Sequence, residues 1–343
     1  MACPPGLVVR SPEASTVAPP QPPIFPVLRL LIIFAWAAPA LTWAGDLADM
    51  PGVPFAQEAY WAPVVGYPRP GSLHAVFNLD CTDQDVTPHG LILENQGVIV
   101  QPLLLFYTPL HADPADWLGN VTFTAGGWGN WHSRPGGKDP GNWREVDIFS
   151  GLTCIVERDW QLTSFCSAYL SQTHSYPTAW DCALAVTYDD TRLLGSAAMH
   201  PFVEYRPQIH GSTTAVIDPE NAGKTYSFRL GIIPQHQFGP LRLEMPAFLT
   251  WVPEGFYQDN AGRPAAGGIG FMSAALKLSM PLEYLSTKNT STTLYAAAQY
   301  YRIVNGGLLD TNEVLGTSAR REHDILQFQW LRQGNRETRR IEK

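Results

Sequence analysis

The chain has 343 residues, 31 acidic against 23 basic, for a formal charge of −8, and only 16% of it is charged. With 11% aromatic residues it is too rich in ring side chains for a disordered chain, and its acidity excludes a general nucleic-acid binder. Mean hydropathy is −0.10, an average that fits neither an ordinary charged globule nor a helical membrane protein.

In chain order, Arg29 precedes the apolar run Leu30–Ala38, and Thr42-Trp43-Ala44 follows. A cation, a short apolar core and a small residue at the end are the parts of a cleaved secretory signal peptide, here residues 1–44. The run is too short for a comfortable helical span, which needs about 20 residues. Residues 45–70 are rich in Pro and Gly without a period and read as a periplasmic lead-in that could also enter a lumen.

From residue 71 the pattern changes to period two. Val146, Ile148, Leu152, Cys154 and Val156 alternate with Glu145, Asp147 and Thr153; Tyr226, Phe228, Leu230 and Ile232 alternate with Ser227 and Arg229. Alternate side chains of a strand face opposite ways, so each segment serves two environments. Twelve segments repeat this: 71–80, 97–108, 120–131, 143–156, 161–171, 180–188, 197–209, 224–233, 241–251, 268–280, 291–304 and 323–331, with no helix of ordinary length between them. Pro102, Pro201, Pro207 and Pro246 weaken single segments because Pro breaks a ladder hydrogen bond.

The odd-numbered connections average about 14 residues and the even-numbered ones about 8, an alternation expected of an outer-membrane barrel. A soluble all-β fold also alternates, but its outer face would be rich in Lys, Glu and Asp. Here the polar face carries mostly Thr, Ser, Gly and Ala, and Trp117, Trp128, Trp131, Trp143, Trp160, Trp180, Trp251 and Trp330 fall near segment ends, where interfacial girdles lie. The expected fold is all-β, a transmembrane antiparallel up-and-down β-barrel of about twelve strands over residues 71–331. A charged C-terminal tail, 332–343, follows.

The stretches His89–Pro102, Asn120–Trp128, Val186–Asp190 and Phe238–Leu243 resemble Gram-negative outer-membrane β-barrel proteins of the porin type. The resemblance covers about Leu73 to Trp330. It implies outer-membrane localisation, insertion by the barrel-assembly machinery and contact with outer-membrane lipid. The chain departs from that pattern by continuing past Trp330 into Arg332, Arg336, Arg339, Arg340 and Lys343.

Glu145, Asp147, Asp181, Glu204, Arg206, Arg229, Arg242 and Glu244 have the polar parity and are the expected lumen-lining residues. They would either bias ion passage or close on one another as an internal ion-pair network. The leading functional expectation is a channel for passive diffusion of small polar solutes. The alternative is a closed structural or adhesion-type barrel presenting its external loops, and the third is a lipid-modifying barrel enzyme. His132-Ser133 is the pair that suggests the enzyme, but neighbours in a strand point to opposite faces, so residues 131–142 read better as an external loop and no catalytic residue is expected. Cys154, Cys166 and Cys182 share the apolar parity and read as lipid-facing thiols, with a Cys154–Cys166 bridge as the alternative. No CxxC pair occurs, so no structural zinc site is expected, nor any other metal, cofactor or nucleic-acid partner.

Overall fold

A computed structural model describes residues 70–134, 141–172, 178–215, 217–218, 225–286, 290–317 and 320–336. The expected signal peptide, and the expected lead-in up to residue 69, lie outside the described residues.

The chain is a closed twelve-stranded antiparallel β-barrel. Its strands are β1 (Leu73–Thr82), β4 (Ile99–Ala112), β5 (Leu118–His132), β6 (Trp143–Val156), β7 (Trp160–Ser171), β8 (Ala179–Tyr188), β9 (Phe202–His210), β10 (Tyr226–Ile232), β13 (Ala247–Val252), β14 (Gly268–Pro281), β15 (Thr290–Ile303) and β16 (Glu322–Arg336). Each pairs with the next in that order, and β16 returns to β1, with Leu73 opposite Arg336 and Thr82 opposite Gln327. Closure leaves no row of unpaired backbone groups along the wall, which lipid would penalise heavily.

Two walls are interrupted by proline. Pro234 separates β10 from β11 (Gln235–Phe238), and Pro246 separates β12 (Leu241–Glu244) from β13. The β11–β12 pair extends the same hairpin toward its turn at 239–240. Two further strands, β2 (Asp85–Val86) and β3 (Ile92–Glu94), form a small separate hairpin inside the connection 83–98.

The connections 83–98, 133–142, 172–178, 211–225, 253–267 and 304–321 share one end of the barrel. Those at 113–117, 157–159, 189–201, 239–240 and 282–289 share the other. The expected long and short alternation is present, except that 189–201 is long: it carries the helical turn α1 (Thr191–Leu194), and the strand expected from residue 197 begins at Phe202. A second helix, α2 (Gly306–Val314), stands where no helix was expected. Asn305 caps it, its side-chain oxygen accepting from the N–H groups of Gly307 and Leu308. The final strand also runs past residue 331: Arg332 pairs with Phe77 and Arg336 with Leu73, so residues 332–336 complete the wall rather than begin a tail.

Outward positions are apolar and bare. Leu104, Phe106, Ile148, Leu152, Leu184, Leu230, Leu276, Leu326 and Phe328 are all at least 42% exposed. In water each such side chain would forgo roughly 1.5–3 kcal/mol of burial; in a bilayer the acyl chains supply it. Exposed Trp143, Trp180 and Trp251 lie at the long-connection end, and exposed Trp117 and Trp160 at the other. β6 is 14 residues long. At about 3.3 Å per residue and a tilt near 40°, it rises roughly 33 Å, enough to set the two girdles either side of an apolar band about 25 Å tall. Trp128 departs from this expectation: its side chain points inward and is 2% exposed.

Among the described residues the cysteines share the outward parity, but they are not all thiols. Cys166 and Cys182 face one another across β7 and β8 and form a disulfide, with Cα atoms 4.0 Å apart. Cys154 stands opposite Leu162, four residues along β7 from the Cys166 that a Cys154–Cys166 bridge would need there, while Cys81 and Cys154 are free.

Candidate functional site

The lumen changes character along each strand. Descending from the long-connection end, the inward positions of β6 run Glu145, Asp147 and then Phe149. Those of β8 run Asp181 and then Ala183 and Ala185; those of β9 run Arg206, Glu204 and then Phe202. All of these side chains are buried. The apolar level is continuous, with Val76, Leu103, Leu105, Tyr107, Trp128, Phe149, Phe165, Ala183, Ala185 and Phe202 in one cluster. Below it, toward the short-connection end, Glu244 meets Arg242 at 3.3 Å and Lys277 at 3.8 Å, and the Lys277 ammonium sits 4.2 Å over the Tyr295 ring.

Above the apolar level the connection 83–98 folds into the barrel. Asp85, His89, Leu91, Ile92 and Glu94 are each no more than 2% exposed. The carbonyls of Pro88, His89 and Gly90 accept from Arg229 Nη2 (2.8 Å), Tyr257 Oη (2.7 Å) and Tyr301 Oη (2.7 Å). The Ile92 N–H donates to Asn312 of α2 at 2.9 Å. Leu91, Ile92, Phe256, Tyr257, Phe271, Tyr301 and Leu308 form a second apolar cluster around it. Gly90 has φ +89°, and a Cβ there would lie 2.6 Å from Phe271 and from the Tyr301 hydroxyl, so only glycine fits this approach.

Two ionic groups hold the segment. In the first, Asp181 Oδ2 accepts from His89 Nε2 (3.0 Å), Tyr169 Oη (2.9 Å) and Arg206 Nη1 (3.3 Å), while Arg206 Nε donates to Glu204 at 2.9 Å. Burial, with the positive charges of Arg206 and Arg229 adding to it, holds the His89 imidazole below its ordinary pKa against the pull of Asp181. In the second, His132 Nε2 lies 3.4 Å from Asp85 and Nδ1 3.8 Å from Glu94; Arg144 reaches Glu94 at 3.4 Å, and Asn130 and Gln101 donate to Asp85 at 2.6 and 3.0 Å.

Of the eight charged positions expected from the sequence, Asp181, Glu204, Arg206 and Arg229 therefore come together at the His89 end of the segment. Glu145 and Asp147 are buried on the same level of β6, and Arg242 and Glu244 sit apart at the opposite end. Asp85, His89, Glu94, Tyr169, Arg144 and Lys277 were not singled out by sequence. His132 is not in an external loop: it is the last residue of β5, fully buried, and Ser133 Oγ instead accepts the Val98 N–H at 2.8 Å. A half-open cavity of about 60 Å³ remains beside the segment, bordered by Thr82, Gln84, Gln101, Arg229, Gln299 and Gln327, room for several waters.

Asp189, Asp190 and His200 bring ligand-type atoms within 4.8 Å of one another on the connection 189–201. The Asp190 carboxylate already accepts from the N–H groups of Met199 and His200 at 3.0–3.1 Å, so its evident work is to fix that connection.

No protein-family model matches the sequence, and no curated protein matches it. Among solved structures, the chain is similar to an outer membrane channel from Pseudomonas putida F1, with 11% identity, TM-score 0.44, and 79% of this chain and 98% of that one covered. It is similar to the NanC porin (8% identity, TM-score 0.40, 75% and 98% covered) and to outer membrane phospholipase A from Escherichia coli (15%, 0.35, 76% and 92%). At this level none of the three bears on solute, substrate or partner.

Proposed function

We propose that the protein is an outer-membrane barrel closed through its middle, a structural or adhesion-type barrel that holds its long connections as a fixed external platform. The observation that carries this reading is the apolar level of the lumen. Leu103, Leu105, Tyr107, Trp128, Phe149, Phe165 and Phe202 are 2–7% exposed and pack as one cluster. The polar side chains that share this level, Asn78, Thr124 and Ser167, are themselves buried beside Leu103, Tyr107 and Phe149, so a hydrated solute crossing it would shed water against a mostly apolar surface. Outer-membrane placement is supported by the closed antiparallel wall, the bare apolar band and the aromatic ends. Its partners on this reading are outer-membrane lipid and the barrel-assembly machinery.

A second reading keeps the channel for small polar solutes in an occluded state. It is favoured by the cavity beside the segment 83–98 and by the charged side chains around it. Swelling of liposomes carrying the purified barrel separates the two. No uptake of small sugars or amino acids above empty liposomes is expected; size-dependent uptake would replace the closed-barrel reading with the channel.

A further inference from the structure

Alternation places Gln101 of β4, Gln299 of β15 and Gln327 of β16 on inward faces. Gln327, for one, lies between Leu326 and Phe328, which are bare on the outside. The three carboxamides border the half-open cavity beside the segment 83–98. Gln101 and Gln327 are each more than nine-tenths buried. Gln101 Nε2 donates to Asp85 at 3.0 Å and Gln299 Nε2 to Ser273 Oγ at 2.6 Å, which leaves the carbonyl oxygen of each as its remaining polar atom. The Gln327 side chain has no hydrogen-bond partner among the described residues. Its two N–H groups and its carbonyl are left to whatever fills the cavity, since a buried amide that bonds nothing is costly.

The rest of the lining is apolar or uncharged, save Arg229. Phe248 and Phe271 meet edge to face with ring centroids 6.0 Å apart, and Ile325 lines the cavity with them. The Arg229 guanidinium lies 4.5 Å over the Phe248 ring, donates to the Pro88 carbonyl at 2.8 Å and stands opposite Glu204 in the sheet. With Asp181, Glu204 and Arg206 it makes a group whose formal charges cancel. An ion entering the cavity would therefore lose its water with no opposite charge left to answer it.

We propose that this cavity is a binding site for a small neutral polyol. A hydroxyl donates one hydrogen bond and accepts two, so a chain of hydroxyls meets the Gln101 and Gln299 oxygens as a donor and the Gln327 amide as both donor and acceptor. The C–H faces of the same chain lie against Phe271 and Ile325. The volume is about 60 Å³; at about 10–15 Å³ per water it takes roughly four to six non-hydrogen atoms, the size of a three- or four-carbon polyol. So few atoms hold a dissociation constant in the millimolar range. Binding of this kind needs no passage through the lumen, so it stands apart from the question of a closed or conducting barrel.

The test is saturation-transfer NMR of the intact barrel in micelles of a detergent without a sugar headgroup. Glycerol and erythritol are the probes, with acetate and glycine as ionic comparisons. Both polyols are expected to give a saturable signal above empty micelles, and the two ions are expected to give none. Gln327→Leu removes an amide that holds nothing else in place and weakens erythritol binding by up to about tenfold, the worth of one neutral hydrogen bond. Saturating erythritol raises hydrogen-exchange protection of residues 83–87 in the native barrel. Absence of a saturable polyol signal, or a saturable signal from either ion, overturns the proposal whether or not the variant folds. So does native affinity in a folded Gln327→Leu barrel, or unchanged protection of residues 83–87.

Discussion

Arg206 is the side chain on which the first ionic group depends. It donates to Glu204 through Nε at 2.9 Å and Nη2 at 3.3 Å, and to Asp181 at 3.3 Å, and all three side chains are no more than 2% exposed. Arg206→Met fills similar volume but leaves two buried carboxylates short of a cation. Removing one partner of a buried pair costs about 3–5 kcal/mol. Asp181 keeps His89 and Tyr169, and Arg229 stands opposite Glu204 in the sheet register, so the lower figure, about 3 kcal/mol, is expected here. Urea unfolding of the barrel in lipid vesicles, followed by Trp fluorescence, measures it. The double variant Arg206→Met with Glu204→Gln removes the stranded charge together with its partner and should recover at least half of the loss. A single variant within about 0.5 kcal/mol of the native chain, the size of an ordinary surface change, would refute the reasoning. So would a double variant no more stable than the single.

Two further outcomes follow from the same packing. Replacing Cys166 and Cys182 by Ser should lower stability by about 3 kcal/mol, since their bridge spans 16 residues of sequence; a peptide linking the two cysteines should be found by mass without reductant, and alkylation of both in the unreduced chain would contradict it. Gly90→Ala forces a Cβ into Phe271 and Tyr301 at positive φ, a strain of about 1–3 kcal/mol, so exchange protection should drop across 83–98 and stay unchanged in β6–β8. Unchanged protection in the segment would show that the close approach is not needed.

The wall of this barrel is written locally, and its interior is not. Period-two alternation marks all twelve strands because inward and outward positions meet different surroundings over the whole length of β6, β8 and β10. The content of the lumen is harder to read, because a packed apolar level and a lipid band select the same residues. β4 shows this: Leu103, Leu105 and Tyr107 point inward and Leu104 and Phe106 outward, so the strand is apolar on both faces. The signal available was the change from charged to apolar along a single inward face, Asp147 to Phe149 or Glu204 to Phe202. The segment 83–98 has no period, and its partners are far away in sequence, 92 residues from His89 to Asp181 and 220 from Ile92 to Asn312. The disulfide depends on the register of β7 against β8, which alternation leaves free.

Current through single barrels in a planar lipid bilayer tests the closed interior most directly. The native protein, inserted and verified as folded by heat-modifiable migration, is predicted to give no stepwise conductance above bare lipid, and Phe149→Ala with Phe165→Ala, which empties two facing rings whose centroids lie 5.3 Å apart, is predicted to raise it. Regular conductance steps from the native barrel would contradict a lumen sealed by its own side chains.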